Sequence, residues 1–188
     1  ANSVIIATGG KSYPRTGSTG DGYVLAKQAG HTVIPPEPAL VPLYTVETFV
    51  KDLMGLSLRN VAVTFYDPDG SKIWSDFGEL LFTHFGISGP TVLTGSRMIA
   101  DYKYKGCKTV IDLKPALDEK KLDARILRDF EKYSNKQYKN ALGDLLPSKM
   151  IPVFVRLSGI DPETTVNQIT AEQRRAVRQL LKNLTLTI

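Results

Sequence analysis

The sequence predicts an α+β chain in three parts: an opening α/β strip, a strand-rich body, and a helical body. Three observations carry this reading. The apolar run Val4-Ile5-Ile6-Ala7 enters a glycine pair, Gly9-Gly10, and further glycines at 17, 20 and 22 precede a helix-forming stretch. Short β-prone runs joined by the turn Asp67-Pro68-Asp69-Gly70 fill the middle. Apolar residues at helical spacing mark the last third.

In the strip, Val4 to Ala7 form the first strand and Asp21 to Ala29 a short helix. Gly30 takes the position after the helix, where a left-handed backbone ends it. His31 to Ile34 read as a second short strand. Strand, glycine loop, helix and strand make half of an α/β nucleotide-binding unit. A buried first strand needs neighbours in its sheet and nothing precedes this one, so the chain is expected to be a piece of a larger protein. Pro35, Pro36, Pro38 and Pro42 then form a stiff extended link, because proline fixes φ and removes a backbone donor.

In the second body, Leu58 to Tyr66 places Val61, Val63 and Phe65 on one face. Pro68 and Gly70 suit a hairpin turn, Lys72 to Phe77 returns, and Glu79 to His84 adds a further strand. Pro90 to Ile99 reads as helix, and Cys107 to Leu113 as strand. Several short strands with hairpin turns suggest a small antiparallel barrel or sandwich. In the helical body, Leu122, Ile126, Leu127 and Phe130 share a face. Pro147 opens a segment that Gly159 closes, with Pro152 near its first turn. Thr170 and Gln173 have capping-box spacing ahead of the apolar stripe Val177, Leu180 and Leu181. Leu184 to Ile188 alternates like a strand.

Composition narrows the function classes. Apolar residues make up 42% and charged residues 23% of the 188, an ordinary globular balance. No apolar run reaches bilayer length, and Cys107 is the one cysteine, so neither a disulfide framework nor a thiolate cluster is available. The expectation is a cytoplasmic protein without a membrane partner. The net charge of +5 is concentrated after residue 117, where 13 Lys/Arg face 9 Asp/Glu, against 11 and 10 before it. A solvated helical surface explains this more simply than a nucleic-acid face.

Two loops could carry chemistry. Gly10-Lys11-Ser12 is not a phosphate-binding P-loop, because the required glycine five residues earlier is Ile5. Gly17-Ser18-Thr19-Gly20-Asp21-Gly22 also lacks GxGxxG spacing, yet it brings a glycine-rich turn to a helix N-terminus, where free amides favour an anion. The plainer reading is that Ser18, Thr19 or Asp21 caps that helix. In Leu81-Phe82-Thr83-His84-Phe85-Gly86-Ile87-Ser88-Gly89-Pro90, His84 ends a strand, two glycines permit close backbone approach, and Ser88 is placed to cap a helix. His84 is thus a candidate catalytic donor or an ordinary hydrogen-bonded histidine. No His, Cys or carboxylate pair has metal-binding spacing.

Four motifs, Val4–Gly10, Gly17–Ala26, Pro38–Leu43 and Leu81–Pro90, resemble in order those of the BaiN/YhiN-like bacterial NAD(P)/FAD-dependent oxidoreductases. The resemblance implies a small antiparallel β-barrel followed by a helical subdomain, with an N-terminal remnant of a dinucleotide-binding α/β domain. Residues 1–38 would be that remnant, 39–116 the barrel insert, 117–183 the helical subdomain and 184–188 a returning barrel strand. It implies FAD contacts at Thr8, Gly9, Gly10, Gly20, Asp21 and Gly22. It further implies that the loop with His84, Gly86, Ser88 and Gly89 faces the flavin, the insert covering the cofactor and shaping the substrate site. NAD(P)H would be the reductant and the rest of the FAD domain the partner. The first GxGxxG loop of such domains is missing, so the fragment is expected to bind FAD weakly or not at all. A competing reading makes the helical part a nucleic-acid or protein-binding module through Arg174, Arg175, Arg178 and Lys182.

Overall fold

The computed structural model describes residues 2–188, which divide into one unit ending at Glu37 and a second, Pro38–Ile188. The first unit has one α-helix, α1 (Asp21–Gln28), preceded by a 3-10 turn at Pro14–Thr16. Ser3 to Gly10 and His31 to Ile34 are not strands, contrary to the reading from sequence. A strand exists by exchanging ladder hydrogen bonds with a neighbour, and this unit offers the two segments no such neighbour. Their apolar side chains stand in solvent: Val4 is 82% exposed, Ile5 89% and Ile34 85%. Among its described residues no hydrophobic side chain is buried.

The second unit holds the whole core. Its six strands are β1 (Leu43–Tyr44), β2 (Ser57–Tyr66), β3 (Lys72–Phe82), β4 (Gly86–Ser88), β5 (Lys108–Asp112) and β6 (Leu184–Thr187). They form one antiparallel sheet in the order β1-β4-β3-β2-β5-β6. The sheet curls until its edges meet: the Val46 amide donates to the Thr187 carbonyl at 2.9 Å, and the Thr187 amide to the Glu47 carboxylate at 2.8 Å. Joining the edges removes the unpaired strands that invite aggregation. Lys72–Phe77 and Glu79–His84, expected as two strands, are one, with Gly78 inside it opposite Val61. Val61, Val63 and Phe65 line the interior as expected.

Helix α2 (Pro90–Met98) lies on the sheet at a contact only glycine permits. A Cβ on Gly95 would fall 2.2 Å from the Phe65 ring and 2.7 Å from that of Trp74. Its N-cap is Gly89, with no side-chain cap, so Ser88 does not cap it. Gly20 likewise begins α1 without a side-chain cap, and Ser18, Thr19 and Asp21 do not serve. In both places a glycine at positive φ makes the turn.

Between β5 and β6 the chain leaves the barrel through α3 (Glu119–Lys132), α4 (Ile151–Ser158) and α5 (Ala171–Lys182). Asp118 caps α3 through the Lys121 amide, and the Thr170–Gln173 capping box of α5 is complete. Leu122, Ile126 and Phe130 are buried, but Leu127 is 37% exposed and does not share their face. Helices and barrel form one unit. The Leu113 amide donates to the Leu181 carbonyl, and Lys182 reaches Asp112 and the carbonyls of Lys114 and Leu117.

Tyr138 is fully buried among the helices, its ring edge-on to Phe130. Its hydroxyl has no well-formed hydrogen bond, and the Ser158 hydroxyl donates to the Val155 carbonyl at 2.7 Å. Burial pushes the Tyr138 pKa up to about 12, with Ser158 opposing the shift. The folded form holds this proton more tightly than the unfolded chain, so its contribution is intact below pH 10 and is lost as pH rises toward 12. Tyr138→Phe is expected to match or exceed the wild type in thermal stability at pH 7 and to lose less between pH 10 and 12, as read by melting curves across that range.

Candidate functional site

The residues singled out from sequence fall into both units. In the first, Thr8 and Gly22 meet: a Cβ on Gly22 would lie 2.5 Å from the Thr8 hydroxyl oxygen, so only glycine lets the 8–10 turn rest on the start of α1. Gly9 has φ +73 and Gly20 φ +89, conformations that favour glycine. Thr8, Gly9 and Gly22 line a cleft of about 380 Å³ with Ile6, Tyr23 and His31. Gly20 lines a second cleft of about 310 Å³ with Lys11, Tyr23 and Lys27. Gly10 and Asp21 line neither. The first turn of α1 has no side-chain cap, and its free backbone amides suit an anionic strip of dinucleotide. The residues present therefore fit one part of such a cofactor.

In the second unit, the stretch read as a loop is partly strand. Gly86 to Ser88 form β4, wedged between β1 and β3. The space at Gly86 is filled by protein: a Cβ there would sit 2.0 Å from the Leu43 carbonyl oxygen. At Gly89, φ +98, it would lie 3.0 Å from the Leu81 amide nitrogen. The close approach expected at these glycines is thus made by neighbouring backbone. Ser88 is half-buried in register with Leu81, while His84 is exposed, beyond the end of β3.

The turn before β4 is rigid. The Thr83 hydroxyl accepts from the Gly86 amide at 3.0 Å, the Thr83 amide donates to the Gly86 carbonyl at 2.8 Å, and the Thr45 amide donates to the Phe85 carbonyl at 3.1 Å. Two of its residues, His84 and Phe85, form a ring cluster with Tyr44 of β1. Phe85 stacks on Tyr44 with centroids 4.5 Å apart, and His84 meets Phe85 edge-on at 4.9 Å. Tyr44 is 72% exposed. It also walls an apolar cleft of about 290 Å³ with Pro42, Tyr104 and Ile188. Sequence reasoning passed over Tyr44 and Phe85, because 41 positions separate them and only the β1–β4 pairing brings them together.

The basic cluster of the helical part is spent internally. Arg174 and Arg178 both pair with Asp123, Arg178 also with Glu119, and Lys182 with Asp112. Of the four cations read from sequence, only Arg175 is exposed. Among the described residues no group of three or more His, Cys, Asp or Glu could hold a metal, and no helix is long and apolar enough to cross a membrane.

An antiparallel barrel that sends its chain through a helical subdomain between its last two strands defines a barrel-and-helix module. The family model described as "HI0933-like protein barrel and H2TH domain" matches residues 37–188, and the chain belongs to that family. This bears out the resemblance to the BaiN/YhiN-like group, a family of flavoprotein oxidoreductases. The chain is 35% identical over 166 residues to the ribosomal RNA dihydrouridine synthase of Haemophilus influenzae, covering 87% of this chain and 38% of that protein. It is 31% identical over 191 residues to the 3-dehydro-bile acid delta(4,6)-reductase of Clostridium scindens, covering 100% and 46%. With the ribosomal RNA dihydrouridine synthase of Escherichia coli it shares 30% identity over 174 residues, covering 93% and 41%. The chain therefore spans less than half the length of each of these relatives.

Proposed function

We propose that this chain is the substrate-facing part of a flavin-dependent reductase that saturates a carbon–carbon double bond conjugated to a carbonyl. The relatives' names support the reaction class, since dihydrouridine formation and delta(4,6) reduction both add two hydrogens across such a bond. The observation that carries the reading is the start of α1, which has no side-chain cap and follows glycines at positive φ, Gly9 and Gly20, leaving backbone amides free for an anion. FAD, when bound, supplies the hydride chemistry, with NAD(P)H as reductant. Thr8, Gly9 and Gly22 hold one edge of the dinucleotide, with Gly20 and the first amides of α1 beside it. In this reading the barrel unit covers the flavin, and the exposed His84 serves as proton donor to the reduced carbon.

The exposed Val4, Ile5 and Ile34 pair into the sheet of the remaining FAD domain, which is this chain's partner. The test is the absorbance spectrum of the full-length parent as purified: flavin bands are expected, and a colourless protein overturns the reading. The isolated chain holds one edge of the cofactor and no GxGxxG loop. Titration of the isolated chain with FAD should therefore give a Kd weaker than about 100 μM. A micromolar or tighter Kd would show that the contacts present suffice.

A further inference from the structure

We propose that a groove in the helical part of the second unit, between α4 and the segments 139–140 and 160–162, is a binding site for an unbranched aliphatic carboxylate. The groove measures about 600 Å³, within the range of small-molecule pockets. α4 supplies Ile151, Pro152 and Val155 to it, and the turn after α4 supplies Ile160 and Pro162. Val155 and Ile160 are buried, which makes the base aliphatic. The lining contains no aromatic ring and no acid.

The backbone around the groove has no donor left for a ligand. Pro152 and Pro162 carry no N–H, the Lys139 amide donates to the Pro162 carbonyl, and the Asn140 amide donates to the Gln137 carbonyl. The Ile151 amide donates to the Ser148 carbonyl and the Ile160 amide is turned to the Ser158 hydroxyl. Those of Val155 and Arg156 are spent inside α4. Recognition therefore falls to three exposed side chains at the mouth, Lys139, Asn140 and Arg156. Two of them are cations, so the polar end they suit is an anion. Lys139 pairs with Glu163, and Arg156 with Asp52 at 2.7 Å. Both pairs are about half exposed and such surface pairs contribute little, so an incoming carboxylate replaces the acids at small cost. Asp161, beside the mouth, is turned to the Glu163 amide at 2.9 Å. An aliphatic base with charge only at the mouth fits a ligand that is polar at one end. A flat sterol with oxygen at both ends would set one of them against Val155 and Ile160 without a partner.

This site does not depend on the reductase reading. The test is isothermal titration calorimetry of this chain with decanoate. One saturable site is expected, with a Kd of about 10–100 μM. Lys139→Gln with Arg156→Gln should weaken it by about tenfold or more. The same pair should leave the affinity for decanol, which shares the chain and lacks the charge, within about twofold. Ile151→Gln should weaken both ligands by about fivefold, and Arg175→Gln on α5 should change neither. The substituted side chains are exposed or half-buried, and melting curves matching the wild type would show that the variants fold. No saturable decanoate binding, binding indifferent to the mouth and wall substitutions, or equal affinity for decylammonium overturns the proposal. So does loss of binding on Arg175→Gln alone, or a groove that takes an acidic amphipathic peptide and no decanoate.

Discussion

Gly86→Ala should cost about 4 kcal/mol, among the largest effects of any single substitution in this chain. The added Cβ would fall 2.0 Å from the Leu43 carbonyl oxygen and 3.0 Å from the Thr45 amide nitrogen. Both are backbone atoms in a paired strand, so neither can yield by changing rotamer. Relief requires β1 to leave β4, breaking the Tyr44–Gly86 pairing and the Thr45 to Phe85 hydrogen bond. β1 also leads to Val46, which closes the ring of strands on Thr187. For a chain of this size a loss of that order lowers Tm by roughly 8–16 °C. Gly143→Ala is the control: nothing lies within 4 Å of a Cβ there, so its Tm should stay within about 2 °C of wild type. Equal effects from the two would mean that the β1–β4 contact is looser than described. Gly86→Ala should also separate Tyr44 from Phe85, so stability and the ring stack are expected to fail together.

Arg125→Met should destabilise the helical part by about 3 kcal/mol. The Asp129 carboxylate is buried on the inner side of α3, and both its oxygens accept from the Arg125 Nε, at 3.0 and 2.9 Å. Arg125 also donates from Nη2 to the Asp144 carbonyl at 3.1 Å, tying α3 to the segment before α4. Removing the arginine leaves a carboxylate with little water, no bidentate partner and only the nearby Lys114 as counter-charge. Arg125 is about one-third exposed, which keeps the expected cost at the lower end for a broken buried pair. The sign of a second substitution tests this cause. Arg125→Met with Asp129→Leu should recover at least half of the loss, because the stranded charge is then gone. If the double variant is as unstable as the sum of its parts, lost packing by the arginine stem is the explanation instead.

Local chemistry was legible wherever a residue acts on its own backbone neighbours. The Thr170–Gln173 box, the Gly159 stop, the Asp67–Gly70 turn and the inward face Val61, Val63 and Phe65 all appear as read. Readings that needed a distant partner failed. Val4 to Ala7 have the composition of a strand, but a ladder takes two chains of hydrogen bonds and the first unit supplies one. Leu127 fits the helical period of Leu122, Ile126 and Phe130, yet it lies at the edge of their face and stays 37% exposed. Ser88 has the right side chain for a cap and the wrong backbone, because Gly89 at φ +98 makes the turn.

The amino-acid order by itself determined the element types of the second unit, the barrel-then-helices sequence and the family, because periodicity, turn chemistry and motif spacing are written within a few residues of each other. Tertiary structure alone decided which charges are available and which rings meet. Arg174, Arg178 and Lys182 are equivalent to Lys103, Lys105 and Lys108 as letters. They differ because folding sets the first three against Asp123, Glu119 and Asp112, and leaves the others facing water. An ion pair or a ring stack depends on distances of a few ångströms between segments far apart in the chain, and only the closed barrel fixes those.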